Sequence, residues 1–166
     1  MPPEKFYTEY SNRLRILEDF TKKFIELNNQ KSKLRFILLK KGFDKQTIFF
    51  FLNMYRIIDN ISIYLKIFID EEMSKRRNVE DLKKKKEKIN EVLNTIYNQI
   101  VKMEMYLNQE SVYYEEQFKK TYIEILDNID VFLNLISEIN VMVGLFTDKV
   151  LLNKSKEKET FEFKVN

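Results

Sequence analysis

Ten apolar residues in the last third of the chain, Phe118, Tyr122, Ile125, Ile129, Phe132, Ile136, Ile139, Val143, Phe146 and Val150, follow one another at intervals of four and three without a miss. On a helix that spacing draws a single stripe, whereas on a strand it would scatter the same residues over both faces. A stripe of this length cannot be left in water. It requires partner helices carrying stripes of their own, and the spacing predicts a helix over about 112–152, with Ser111 as its N-cap.

Three such partners precede it. Pro2 and Pro3 suit a helix start, and Tyr10, Leu14, Leu17, Phe20, Phe24, Leu27, Leu34 and Leu38 recur in helical phase. The polar run NNQKSK interrupts this stripe, but Leu27 and Leu34 stay in phase across it. One helix is therefore expected over about 3–41, stopped by Gly42. Asp44 is placed to cap a second helix over about 45–75, and Asn78 a third over about 79–109. The third helix carries Leu82, Ile89, Leu93, Ile96, Ile100, Met103 and Leu107 at coiled-coil spacing. Short connections force long helices to fold back on one another. The expectation is all-α: an elongated antiparallel up-down-up-down four-helix bundle forming one domain over 1–153, roughly 45 to 60 Å long, followed by a short flexible tail over 154–166.

The stretch TIFFFLNMYRIIDNISIYLKIFI, residues 47–69, tests this reading because a membrane could also accept it. Its thirteen Ile, Leu and Phe residues favour insertion by roughly 4 to 8 kcal/mol, and Arg56, Asp59 and Lys66 oppose it by up to about 3 kcal/mol each. Periodicity separates the alternatives. Ile48, Phe51, Tyr55, Ile58, Ser62, Leu65 and Ile69 form one stripe, with Phe50, Met54, Ile57, Ile61, Tyr64 and Phe68 beside it. Asn53, Arg56, Asp59, Asn60 and Lys66 share the remaining strip, which a lipid-bathed helix does not need. A bundle helix without a membrane span is expected. Phe49, Ile63 and Ile67 fall among the polar residues, either as scattered exposed side chains or as a seam for a protein partner or a second copy of the chain.

Composition narrows the chemistry. The chain has no Cys and no His, which excludes disulfides and thiolate metal sites and removes the commonest general base and metal ligand. It also lacks Ala and Trp while Lys, Asn, Ile, Phe and Tyr abound, a bias that points to an AT-rich genome. No nucleotide-binding or nucleophile-elbow motif is present. The RRNVEDL stretch offers arginines without the histidine of an Arg–His nuclease pair. Glu124, Asp127, Asp130 and Glu138 map to the outward side of the fourth helix, a solvated acidic face. No catalytic residue, cofactor or metal is expected. Lys31 stands in core phase, either extending to solvent or joining Asn53, Gln99 and Thr121 in a buried polar layer.

Basic charge gathers at the second turn. Lys75, Arg76, Arg77, Lys83, Lys84, Lys85, Lys86 and Lys88 stand against Glu80, Asp81 and Glu87, in a chain of net charge +3. The four consecutive lysines cover all sides of a helix, so the turn is expected to project beyond the packed bundle as a candidate polyanion site. In the tail, Phe161, Phe163 and Val165 alternate with charged residues, the period of a strand that could pair with a partner's sheet edge or remain a disordered tail. These features favour a non-enzymatic cytoplasmic interaction protein, whether adaptor, assembly chaperone or small subunit. The alternative is a nucleic-acid-associated subunit using the basic tip.

Overall fold

The computed structural model describes residues 3–38, 43–75, 79–109 and 111–144, with side chains of the first helix described over 15–34. Four helices follow in chain order: α1 (Pro3–Leu38), α2 (Lys45–Met73), α3 (Glu80–Leu107) and α4 (Val112–Val143). Among the described residues there is no strand. The helices form the elongated antiparallel up-down-up-down bundle that the periodicity predicts. At 1.5 Å per residue they are roughly 40 to 55 Å long.

Most described residues of the stripes named from spacing form the core, while Tyr10, Leu14 and Leu38 lie outside the described side chains. Phe20, Phe24, Leu27 and Leu34 of α1 meet Phe51, Met54, Ile58, Ile61, Leu65 and Phe68 of α2. Leu82, Ile89, Ile96, Ile100 and Met103 of α3 face Phe118, Tyr122, Ile125, Ile129, Phe132 and Ile136 of α4, and all are buried in one cluster. Edge-to-face rings hold α4 in place, Phe51 of α2 against Tyr122 at 4.9 Å and Phe43, in the turn before α2, against Phe118 at 4.9 Å between centroids. Consecutive helices are the closest neighbours, and α2 also meets α4. Long side chains join α1 to α4: the Tyr122 hydroxyl donates to the Leu34 carbonyl, and Lys31 pairs with Asp130.

Local chemistry explains the helix limits. Asp44 accepts from the Gln46 amide at 3.1 Å and Ser111 from the Tyr114 amide at 3.4 Å, so both expected N-caps are in place. α1 runs unbroken through NNQKSK because Leu27 and Leu34 on either side of it are both buried in the core, and the polar side chains between them are accommodated along the helix. Asn28 Nδ2 donates to the Phe24 carbonyl and Ser32 Oγ to the Asn28 carbonyl. The expected stop at Gly42 and the cap at Asn78 lie outside the described residues. α3 starts instead from Val79, which offers no side-chain cap, and Glu80 and Asp81 lie in its first turn.

Three expected ends need correction. α2 closes at Met73, where the Ser74 amide returns to the Asp70 carbonyl, rather than at 75. α3 closes at Leu107 with Asn108 as its cap, rather than at 109. α4 closes at Val143, because Gly144 turns left-handed at φ 70° and its amide bonds the Asn140 carbonyl at 2.7 Å. The apolar spacing had carried α4 to 152; Phe146 and Val150 lie outside the described residues, as does the tail over 154–166.

Candidate functional site

The basic turn is less free than its composition suggests. Leu82 and Ile89, on either side of the four lysines, are both buried. The first turns of α3 therefore lie against the bundle instead of projecting past it. Lys86 reaches back to Asp70 at the end of α2 at 2.7 Å, and Lys85 pairs with Glu138 on α4. Lys75, Lys83, Lys84 and Lys88 are exposed. Arg76 and Arg77 lie outside the described residues. A lysine stem spans the gap to a neighbouring helix, so a run that covers all sides of α3 supplies two clamps as well as free cations.

Replacing Lys83, Lys84, Lys85 and Lys86 with Gln is expected to leave helicity intact and shift stability by less than about 1 kcal/mol per broken pair, since exposed ion pairs contribute little. Denaturant unfolding checks this. If the turn binds polyanions, the same variant should lose affinity, and the slope of log affinity against log salt should fall by about one per lost contact.

The carboxylates of α4 are correspondingly less isolated than expected. Asp130 is engaged by Lys31 and Glu138 by Lys85, while Glu124 and Asp127 are exposed. Lys31 therefore neither extends freely into solvent nor joins a polar layer. Asn53 is exposed, Thr121 is buried on α4, and Gln99 accepts from Asn128 at 2.9 Å. Among the described residues, no group of three acidic side chains is arranged to hold a metal ion.

The outer face of α2 matches its sequence reading. Phe49 is 63% exposed, Ile63 49% and Ile67 42%, among exposed Asn53, Arg56, Asp59 and Asn60. Phe50, assigned by spacing to the core face, is also exposed. Its neighbours Thr47, Ile48 and Phe51 are buried, so the departure is confined to this one position in the first turns of α2. By length and composition α2 could cross a membrane, but its inner side is occupied by the other three helices.

Three surface features escaped the sequence reading. Tyr97 and Val101 of α3 are exposed, and the Tyr97 ring lies 5.5 Å from that of Tyr55, at the edge of the packed face of α2. Their four-residue spacing, off the heptad positions, was the available signal. At the α3–α4 turn, Tyr114 stands between Tyr106 and Tyr113, beside exposed Val112. Finally, Arg15, Ile16, Glu18, Asp19, Lys22 and Tyr64 line an open cleft of about 300 Å³ between α1 and α2. There the Tyr64 hydroxyl donates to Asp19, which, ahead of burial, pushes the phenol above its ordinary value. Mixed charges around an open groove favour no one class of ligand, and only the distant contact between helices could have revealed it.

The candidate strand Phe161, Phe163 and Val165 lies outside the described residues. Compared with known proteins, the chain matches no family model, no curated protein and no solved structure.

Proposed function

We propose that the chain is a non-enzymatic helical interaction protein, an adaptor, assembly chaperone or small subunit of a larger complex, working in the cytoplasm. One observation carries this reading: α2 buries most of an apolar inner face and still presents Phe49, Ile63 and Ile67 outward. A bundle helix needs only one apolar face to fold. Apolar side chains grouped on its opposite side fit a surface that something else covers. The polar residues among them, Asn53, Arg56, Asp59 and Asn60, favour a protein surface over lipid as that cover.

The alternative, a nucleic-acid-associated subunit using the basic turn, draws on exposed Lys75, Lys83, Lys84 and Lys88. The engagement of Lys85 and Lys86 by carboxylates weakens it.

The test is affinity capture with the full chain after nuclease treatment, comparing the parent with Ile63→Glu. Binding that survives the nuclease and high salt but is lost with Ile63→Glu supports the interaction protein. Binding that disappears with the nucleic acid or falls steeply with salt supports the alternative. Recovery of the chain only from membranes would refute both the location and the reading of α2.

A further inference from the structure

The outer side of α2 contains a pattern that mere exposure does not explain. At 100° per residue, Lys45, Phe49, Leu52, Arg56, Asp59, Ile63, Ile67 and Asp70 fall within an arc of about 80°, and no other residue of α2 enters it. In order they read cation, apolar, apolar, cation, then anion, apolar, apolar, anion. Lys45 and Asp70, Leu52 and Ile63, and Arg56 and Asp59 share one midpoint, between Ile57 and Ile58. Phe49 and Ile67 are centred within half a residue of it.

Reciprocal positions follow from helix geometry; the chemistry placed at them does not. Reversing the stripe about its midpoint lays each apolar residue on an apolar one and each cation on an anion. A parallel pairing in register would lay like charge on like. Lys45, Arg56 and Asp59 make no ion pair among the described residues, and Asp70 holds Lys86 with one oxygen, leaving the other available.

We propose that this stripe is the seam of an antiparallel, twofold-symmetric homodimer in which α2 lies against α2 of a second copy. This deepens the proposed function, and rests on it, by naming the partner. Phe49 then covers Ile67 of the second copy and the exposed side of Leu52, which is partly buried against its own core, covers Ile63, while Arg56 meets Asp59 beside the axis and Lys45 meets Asp70 at the ends. Each contact occurs twice, as an isologous interface requires. The apolar pairs provide the affinity, and the charges select antiparallel register over parallel.

Charge exchange tests the register. Sedimentation of the full chain over a wide concentration range should show a monomer–dimer equilibrium. Arg56→Asp alone sets carboxylate against carboxylate across the axis, and Asp59→Arg alone sets cation against cation. Each should weaken dimerisation about tenfold or more, and the double exchange should restore it to within about threefold of the parent. Circular dichroism of each variant verifies that the bundle is intact.

A second measurement uses the absence of native cysteine. The double variant Phe49→Cys with Ile67→Cys should oxidise to a covalent dimer, and neither single variant should, because antiparallel chains hold equivalent positions roughly 27 Å apart. Dimers from the single variants would overturn the antiparallel register. A chain that is monomeric at every concentration overturns the dimer, and if Ile63→Glu then still abolishes capture of another protein, the interaction reading survives without it. Cosedimentation with lipid vesicles in place of dimerisation would overturn both.

Discussion

Replacing Phe20 with Ala is expected to lower the unfolding free energy by about 3 to 5 kcal/mol, the range for deleting a buried aromatic ring. Phe20 is fully buried and meets two rings of α2 edge-to-face, Phe68 at 5.8 Å and Tyr64 at 6.4 Å between centroids. Its loss leaves a cavity at the helix pair on which α1 depends most, because α1 packs closest against α2. Against a typical total stability of about 5 to 15 kcal/mol, this is a large fraction. Urea unfolding should show a lower midpoint with an unchanged slope, and hydrogen exchange over 15–34 should quicken first. Tyr97→Ala is the control: that ring touches Tyr55 but remains half exposed, and its loss should cost less than about 1 kcal/mol of monomer stability. Equal effects from the two variants would mean that α1 is not docked as described.

The contrast between Phe20 and Tyr97 also indicates what the sequence could reveal. Phe20 stands in a repeat of threes and fours, and repetition over many turns encodes a buried stripe whatever the neighbouring helix contains. Caps at Asp44 and Ser111 were legible for a related reason: a side chain two or three residues from the amide it accepts acts locally. Gly144 acts locally too, yet the apolar spacing running past it masked its stop signal. What remained hidden depended on reach across helices. The lysines at 83–86 read as a protruding tip because spacing says nothing of Asp70 and Glu138 on facing helices. Lys31 offered two readings and took a third, since its partner Asp130 is nearly a hundred residues away in sequence. The outer face of α2 was legible as an anomaly, and the structure leaves Phe49, Ile63 and Ile67 exposed there.

Tyr122 should make stability fall at high pH in a way that one substitution removes. Its side chain is fully buried between α1 and α2, with the hydroxyl donating to the Leu34 carbonyl and the ring against Phe51. Burial pushes the phenol up to about 12 from an ordinary 10.0. Below pH 10 the folded and unfolded chains both keep this proton, and it contributes no slope. Between pH 10 and 12 the unfolded chain releases the proton while the fold retains it. Fewer protons on the unfolded chain mean that stability declines as pH rises, by at most about 2 to 3 kcal/mol across the window. At neutral pH, Tyr122→Phe should be less stable than the parent by about 0.5 to 1.5 kcal/mol, because it lacks the bond to Leu34. That deficit should shrink above pH 10 and reverse towards pH 12, since Phe cannot ionise. Tyr55 and Tyr64, whose phenols are also pushed up, are present in both proteins and cancel from the comparison. Paired urea titrations at pH 7, 10, 11 and 12 measure the difference. A deficit that stays constant over the whole range would mean that the phenol ionises as readily in the fold as in the unfolded chain, and that water reaches Tyr122 through the side of the bundle between α1 and α4.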